Sequence, residues 1–185
     1  MPLSTTPYMN LESIKPIWEE LEHKRKSLFE IYDKLSDEKL NQKPADNGWS
    51  MMQVLHHLLL IEELGQKYMS KKLAHPETLN KPSFSTSIKK LGLKLILLSP
   101  LRVKAPEVVS QLPEFASWAD TKMRYENNRN SLYKFMQEIP QDLADKALFK
   151  HPVSGWLNIH QTLEFLLDHW KHHEYQINRL RSSTK

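Results

Sequence analysis

Cysteine is absent from this chain of 185 residues, and glycine occurs only four times. Without cysteine, the chain can form neither a disulfide framework nor a thiolate metal site, and it has no cysteine nucleophile. The few glycines form no glycine-rich phosphate loop, which excludes a P-loop and a dinucleotide-binding fingerprint. Any metal bound by this chain must therefore use nitrogen and oxygen ligands.

Long apolar runs are also missing. The longest, residues 91–98, is interrupted by Gly92 and Lys94, whereas a membrane helix needs roughly 20 apolar residues. The first ten residues do not join a basic start to an apolar stretch, so we expect no signal peptide. The length suits one domain over residues 1–185. We therefore expect a soluble, cytoplasmic protein without a membrane partner.

Positive charge is concentrated in one segment of the chain. Residues 80–104 hold six basic and no acidic side chains, and without them 20 basic residues remain against 22 acidic ones. The simplest interpretation is a solvated loop. The alternatives are a lid that brings Lys or Arg to an anionic substrate, and a nucleic-acid surface. Phe84 is the segment's one aromatic residue, so we expect no nucleic-acid partner.

Apolar residues at helical spacing dominate the rest of the chain. They predict four long helices, at about residues 11–35, 50–73, 114–139 and 158–180. Ser50 with Gln53, and Asn158 with Gln161, fit the capping-box pattern at the starts of the second and fourth helices. No alternating run is long enough to predict a strand. The chain is therefore predicted to be an all-α four-helix bundle with a long crossover between helices 2 and 3.

The predicted crossover, from about residue 72 to 113, contains the basic segment. It is long enough to cross the bundle and to hold a short helix of its own. Its apolar residues 95–98 can cover the bundle or form the contact of a homodimer.

Nine histidines are many for this length, and helical spacing sorts them. His57 shares one stripe of helix 2 with three apolar residues and a tyrosine: Val54, Ile61, Leu64 and Tyr68. His169 and His173 share one stripe of helix 4 with Thr162, Leu166, Ile177 and Leu180. Both stripes are expected to face the bundle interior. His169 and His173 lie one turn apart, about 6 Å, which suits two ligands of one divalent metal.

His57, on a facing helix, is the natural candidate for a third ligand. The alternative is that each inward histidine is a hydrogen-bonded core residue. Three inward imidazoles are difficult to satisfy without a metal, because each buried ring needs partners at both nitrogens.

Other polar residues near these stripes have simpler interpretations. Glu62 points about 140° away from His57 around the helix, so we interpret it as a solvated or inter-helical charge rather than a base. Asp168 and Glu164 can orient a ligand ring, but we expect helix-surface charges. We expect His56, His172, His151 and His160 to be surface or capping residues. Trp49 and Trp156 are interpreted as staples at the bundle ends, with a substrate wall as the alternative.

Two segments resemble the DinB superfamily. Residues 48–58, GWSMMQVLHHL, are similar to its Trp-Ser-x-x-Glu/Gln-Val-Leu-x-His-Leu motif, and residues 169–177, HWKHHEYQI, to its His-x-x-x-His-x-x-Gln-Ile ending. The resemblance covers about residues 10–181 and is weakest in the basic segment. It implies a four-helix bundle with a three-histidine metal site, whose ligands by motif position are His57, His169 and His173. Gln176 matches the second motif and is expected to pack or hydrogen-bond across the bundle.

The resemblance also implies a range of functions. Some relatives transfer low-molecular-weight thiols, and others are described as metal-dependent hydrolases. We therefore expect one divalent metal ion, zinc or nickel, which suit imidazole ligands, and a small-molecule substrate or thiol co-substrate. A metal can activate water or a thiol for attack. The alternative is a non-catalytic, metal-stabilised helical bundle that acts as a structural or interaction protein.

Overall fold

The computed structural model describes residues 7–83 and 109–183, and this part of the chain is mostly helical. Its five α-helices are α1 (Lys15–Tyr32), α2 (Asp37–Asn41), α3 (Met51–Leu73), α4 (Trp118–Gln137) and α5 (Ile159–Ser183). A small antiparallel sheet pairs β1 (Phe149–His151) with β2 (Gly155–Leu157) just before α5. Short 3-10 turns lie at Leu11–Ser13, Pro76–Thr78 and Gln141–Leu143.

The four long helices pack around a common apolar core. Helix α5 packs against α1 and α3, and α3 also packs against α4. Aromatic contacts join α1 to α4, because the Phe29 ring meets the rings of Trp118 and Tyr125 edge to face at 5.0 and 5.8 Å. The core between the helices includes Leu59 and Leu163, both fully buried. This packing brings α3 and α5, the two helices with paired histidines, side by side.

Side-chain caps set the starts of α3 and α5. The Ser50 hydroxyl accepts the Gln53 backbone N–H, and the Gln53 side chain accepts the Ser50 backbone N–H, both at 3.1 Å. Asn158 and Gln161 exchange the same two hydrogen bonds at 2.9 and 3.2 Å. Both predicted capping boxes are therefore confirmed.

The other two long helices begin later than predicted. Residues 11–13 form a 3-10 turn, and α1 begins at Lys15 with Pro16 in its first turn, where a missing N–H costs no helical hydrogen bond. Ser117 caps α4 by accepting the Asp120 N–H, which leaves Phe115 outside the helix and 59% exposed. The predicted start of this helix, at about residue 114, was therefore too early. Helix α2 lies between the first and second predicted helices, where no helix was predicted.

The β-hairpin corrects the prediction that the chain has no strand. Each strand has only three residues, too few for an alternating pattern to stand out in the sequence. The His151 Nδ1 accepts the backbone N–H groups of Val153 and Ser154 at 3.1 and 3.0 Å. Gly155 then takes a φ of 80°, which only glycine adopts readily. His151 is thus a buried cap of the turn rather than a surface residue.

The buried stripe of α3 differs from the predicted one after His57. It continues through Leu58, Glu62, Gly65 and Met69, whereas Leu64 is 36% exposed. Because the charged residue Glu62 lies in the middle of the buried stripe, the spacing of apolar residues alone did not predict its course.

Glu62 is buried because four donors from other helices surround its carboxylate. The Tyr125 hydroxyl donates at 2.8 Å and the Arg129 Nη2 at 2.7 Å. Asn128 Nδ2 and Trp170 Nε1 donate at 3.3 Å each. Glu62 is therefore an inter-helical charge, as one of our two interpretations had it, and the solvated alternative was wrong.

The crossover between α3 and α4 is described only at its two ends. Leu79 is buried, and the backbone carbonyl of Asn80 accepts the Ala147 N–H at 2.8 Å. Most of the basic segment, including the apolar residues 95–98, lies outside the described residues. None of the helices in residues 7–83 and 109–183 is both long and apolar enough to cross a lipid bilayer.

Candidate metal centre

Three histidines meet between α3 and α5. His57, His169 and His173 each offer one ring nitrogen as a possible ligand, and these nitrogens lie within 4.8 Å of one another. The Nε2 atoms of His169 and His173 are 3.0 Å apart. Two imidazole nitrogens bound to one zinc ion at about 2.0–2.1 Å are themselves about 3.0–3.4 Å apart. The cluster can therefore hold a metal ion with little movement of this pair.

Partners at the opposite ring nitrogens orient two of the three rings. The His57 Nδ1 donates to the backbone carbonyl of Val109 at 2.8 Å, and the His173 Nδ1 donates to the Gln176 Oε1 at 2.9 Å. Because both partner atoms are carbonyl oxygens, which only accept, each ring carries its proton on Nδ1. The Nε2 atoms of both rings are thus unprotonated, as the ligand nitrogen of a metal-bound histidine must be.

The electrostatics of the cluster keep the three rings neutral. Burial lowers the pKa of each imidazole, and for His173 the pKa falls to about 3. Repulsion between the neighbouring imidazoles lowers the pKa values of His169 and His173 further. Metal binding requires neutral imidazole, so the rings are in the ligand form at neutral pH. Three neutral imidazole nitrogens are a donor set that can bind a divalent metal ion.

Aromatic side chains form the walls of the cluster. The Trp49 ring lies 4.8 Å from the His57 ring and 6.5 Å from the His173 ring, and Phe165 stacks on His169 at 5.6 Å. Our interpretation of Trp49 as a staple is therefore incomplete, because its indole also covers the ligand rings. Trp156 instead contacts Tyr68 and two lysine side chains, Lys72 and Lys150.

The remaining candidate carboxylates have other surroundings. Glu164 pairs with His160 at 3.5 Å along α5, as expected for a helix-surface charge. Asp168 is buried, so the expectation of a surface position was wrong for that residue.

The other two clustered histidines are half-buried rather than fully exposed. The His56 Nε2 lies 3.0 Å from the Thr121 hydroxyl. The His172 ring is 5.0 Å from that of His173. Neither ring belongs to the group of three that can hold a metal ion.

The partners of the two oriented rings were not predicted from the sequence. Gln176 was expected to pack or hydrogen-bond across the bundle, but it hydrogen-bonds the His173 ring within the same helix, and its three-residue spacing could have indicated this. The Val109 carbonyl, 52 positions away from His57, is a backbone atom, and no sequence pattern could have identified it.

A cavity of about 530 Å³ lies between the first half of α1 and the second half of α4, and the three histidines do not line it. Its walls include Trp18 and Tyr133 and charged groups of both signs: Glu12, Glu19, Glu22, Lys15 and Arg129. The lining favours no particular ligand charge. The histidine cluster and this cavity are separate features of the molecule.

Comparisons with known proteins identify the family of this chain. The family profile of the DinB superfamily matches residues 20–177, a span that contains all three histidines. The uncharacterized protein YuaE of Bacillus subtilis (strain 168) is 28% identical over 155 residues, which cover 80% of this chain and 86% of YuaE. No solved structure matches the chain significantly. The chain therefore belongs to the DinB superfamily.

Proposed function

We propose that this protein binds one divalent metal ion, zinc or nickel, through His57, His169 and His173, and that it is a metal-dependent enzyme. The observation that carries the proposal is the convergence of three buried ring nitrogens within 4.8 Å. Burial holds all three rings in the neutral form that a metal requires. A metal at this point would supply a Lewis acid that activates a small nucleophile and polarises its target.

The surrounding residues have separate tasks in this proposal. Val109 and Gln176 hold the outer nitrogens of two ligand rings. Trp49 and Phe165 cover ring faces, so they shape the space beside the proposed metal. The long helices α1, α3, α4 and α5 fix the geometry, and we infer from their mutual contacts that they form the four-helix bundle expected for this family.

The proposed nucleophile comes from outside the chain. The absence of cysteine excludes a thiolate of the protein itself, and we infer that water or a thiol co-substrate attacks, which gives a hydrolase or a low-molecular-weight-thiol transferase. Membership of the DinB superfamily supports both of these proposed activities. The cytoplasmic location, the single domain and the homodimer contact stay predictions.

A structural role is the second candidate, and the burial of the ligands favours it. The three histidines are only 3, 7 and 6% exposed, and structural metal sites are closed whereas catalytic ones keep an open position. In that case the metal would join α3 to α5 and stabilise the fold without turnover.

A substrate panel distinguishes these functions. Protein loaded with zinc or nickel is tested with glutathione-, bacillithiol- and mycothiol-type thiols plus an electrophile, and separately with esters and amides. We expect turnover in one panel and its loss in a His169→Ala variant. A protein that binds metal and gains thermal stability, but is inert in both panels, would contradict the enzymatic proposal and favour the structural one.

A further inference from the structure

Gln176 occupies a position from which it controls one ligand ring. Its Oε1 lies 2.9 Å from the His173 Nδ1, one turn along the same helix. We propose that Gln176 is a positioning residue for the metal, which holds His173 in the tautomer that presents an unprotonated Nε2. This inference rests on the proposed metal site and adds a requirement to it.

The position of one proton decides whether His173 can bind a metal. A neutral imidazole carries a single N–H, on either Nδ1 or Nε2. The His173 Nε2 lies 3.0 Å from the His169 Nε2. If the proton were on the His173 Nε2, it would donate to His169, and both lone pairs would be unavailable to a cation. The Gln176 carbonyl oxygen favours the other tautomer, because it accepts a hydrogen bond from the Nδ1–H group.

A comparison with His57 shows why a side chain matters at this position. The proton of His57 is fixed by the Val109 backbone carbonyl, which no side-chain substitution removes. His173 depends on a side-chain amide, so its tautomer can be altered by mutation. Partners of this kind also raise the basicity of the ligand nitrogen, and their loss typically costs about 10- to 100-fold in metal affinity.

Two substitutions separate this role from simple packing. Gln176→Leu removes the acceptor and keeps an apolar stem, whereas Gln176→Glu keeps an acceptor and makes it a stronger one. Gln66→Leu is the matched control, because the Gln66 amide also makes a side-chain hydrogen bond, to Ser131 at 2.7 Å, between α3 and α4. A packing role predicts similar effects of both Gln176 variants, and a positioning role predicts opposite effects.

The experiment measures zinc affinity by competition with a chromophoric chelator, and the His173 tautomer by ¹⁵N NMR of the metal-free protein. We expect Gln176→Leu to weaken zinc binding by about 10- to 100-fold and to shift the His173 proton partly to Nε2. Gln176→Glu should bind zinc at least as tightly as the wild type, and Gln66→Leu should match the wild type.

Wild-type affinity and an unchanged tautomer in Gln176→Leu would overturn the inference. If that variant does not fold, Gln176→Glu decides, because weaker binding than wild type contradicts a role as acceptor. A wild-type protein that binds no zinc would instead overturn the proposed function, so the two failures are distinguishable.

Discussion

Helix α3 carries two buried polar side chains, Glu62 and His57, which lie five residues apart and differ in the groups that surround them. The Glu62 carboxylate accepts hydrogen bonds from four side chains, and the Arg129 guanidinium at 2.7 Å balances its charge. The His57 group instead brings together three rings that are neutral, because burial and repulsion between protonated imidazoles lower their pKa values. The carboxylate has its counter-ion within the fold, whereas the histidines converge on a point where a cation would fit.

The difference separates a structural polar group from a candidate site. A buried charge with a full set of partners is consistent with inter-helical packing alone. In the histidine cluster three ring nitrogens lie close together, and the opposite nitrogens of two rings are held by other groups. Metal-binding histidines are arranged in this way. Removing a member of each group should therefore have different consequences for stability and for metal binding.

The largest expected loss of stability follows removal of the Glu62 carboxylate. Glu62→Ala leaves the buried Arg129 guanidinium without its closest counter-ion, and breaking a buried pair in this way costs about 3–5 kcal/mol. Denaturant unfolding measures this loss, and the folded variant should still bind metal. The control is Glu63→Ala, which breaks a more exposed pair with Arg124 and should cost less than about 1 kcal/mol. Equal losses for the two variants would contradict the assignment of Glu62 as a structural centre.

A somewhat smaller effect is expected from His151, a buried histidine that has its own partners. Burial lowers its pKa from 6.5 to about 4. Below pH 6.5 the unfolded chain therefore binds a proton at His151, whereas the folded chain binds it only below about pH 4. The contribution of the neutral His151 ring to the free energy of unfolding is full above pH 6.5. It is lost as the pH falls, by about 3 kcal/mol near pH 4.

His151→Asn tests this pH dependence, because the Asn Oδ1 can replace Nδ1 as the acceptor for the turn N–H groups. The free energy of unfolding, measured from pH 7 to pH 4, should fall less steeply in the variant than in the wild type. Metal affinity at neutral pH should be unchanged. An identical slope in both proteins would show that His151 is not the titrating group.

The smallest of these effects is stabilisation by the metal itself. Free zinc at 100 times its dissociation constant should raise the free energy of unfolding by about 2.7 kcal/mol. The gain should also be present in Glu62→Ala and absent in His169→Ala. A gain in His169→Ala equal to that of the wild type would place the binding site elsewhere.

Local patterns predicted much of the helical framework. The caps Ser50 and Asn158 begin α3 and α5 as predicted, since a capping box needs only residues three positions apart. All six positions of the predicted α5 stripe, Thr162 to Leu180, are buried. The hairpin was missed because its pairing depends on one buried histidine and a three-residue turn, which leave little pattern in the sequence.

The part of the site that could not be predicted depends on tertiary contacts. The stripe of α3 was predicted to continue through Leu64, because an acidic residue argues against burial. Glu62 is buried only through donors on α4 and α5, and nothing near it in the sequence indicates them. The same holds for the Val109 carbonyl that orients His57.

The most direct test of the central claim is the metal content of the purified protein after replenishment with zinc or nickel. Wild-type protein should hold one metal ion per chain, and His57→Ala, His169→Ala and His173→Ala should each lose stoichiometric metal while remaining folded. A wild-type protein free of stoichiometric metal, or three variants that all retain it, would contradict the assignment of these histidines as a metal site.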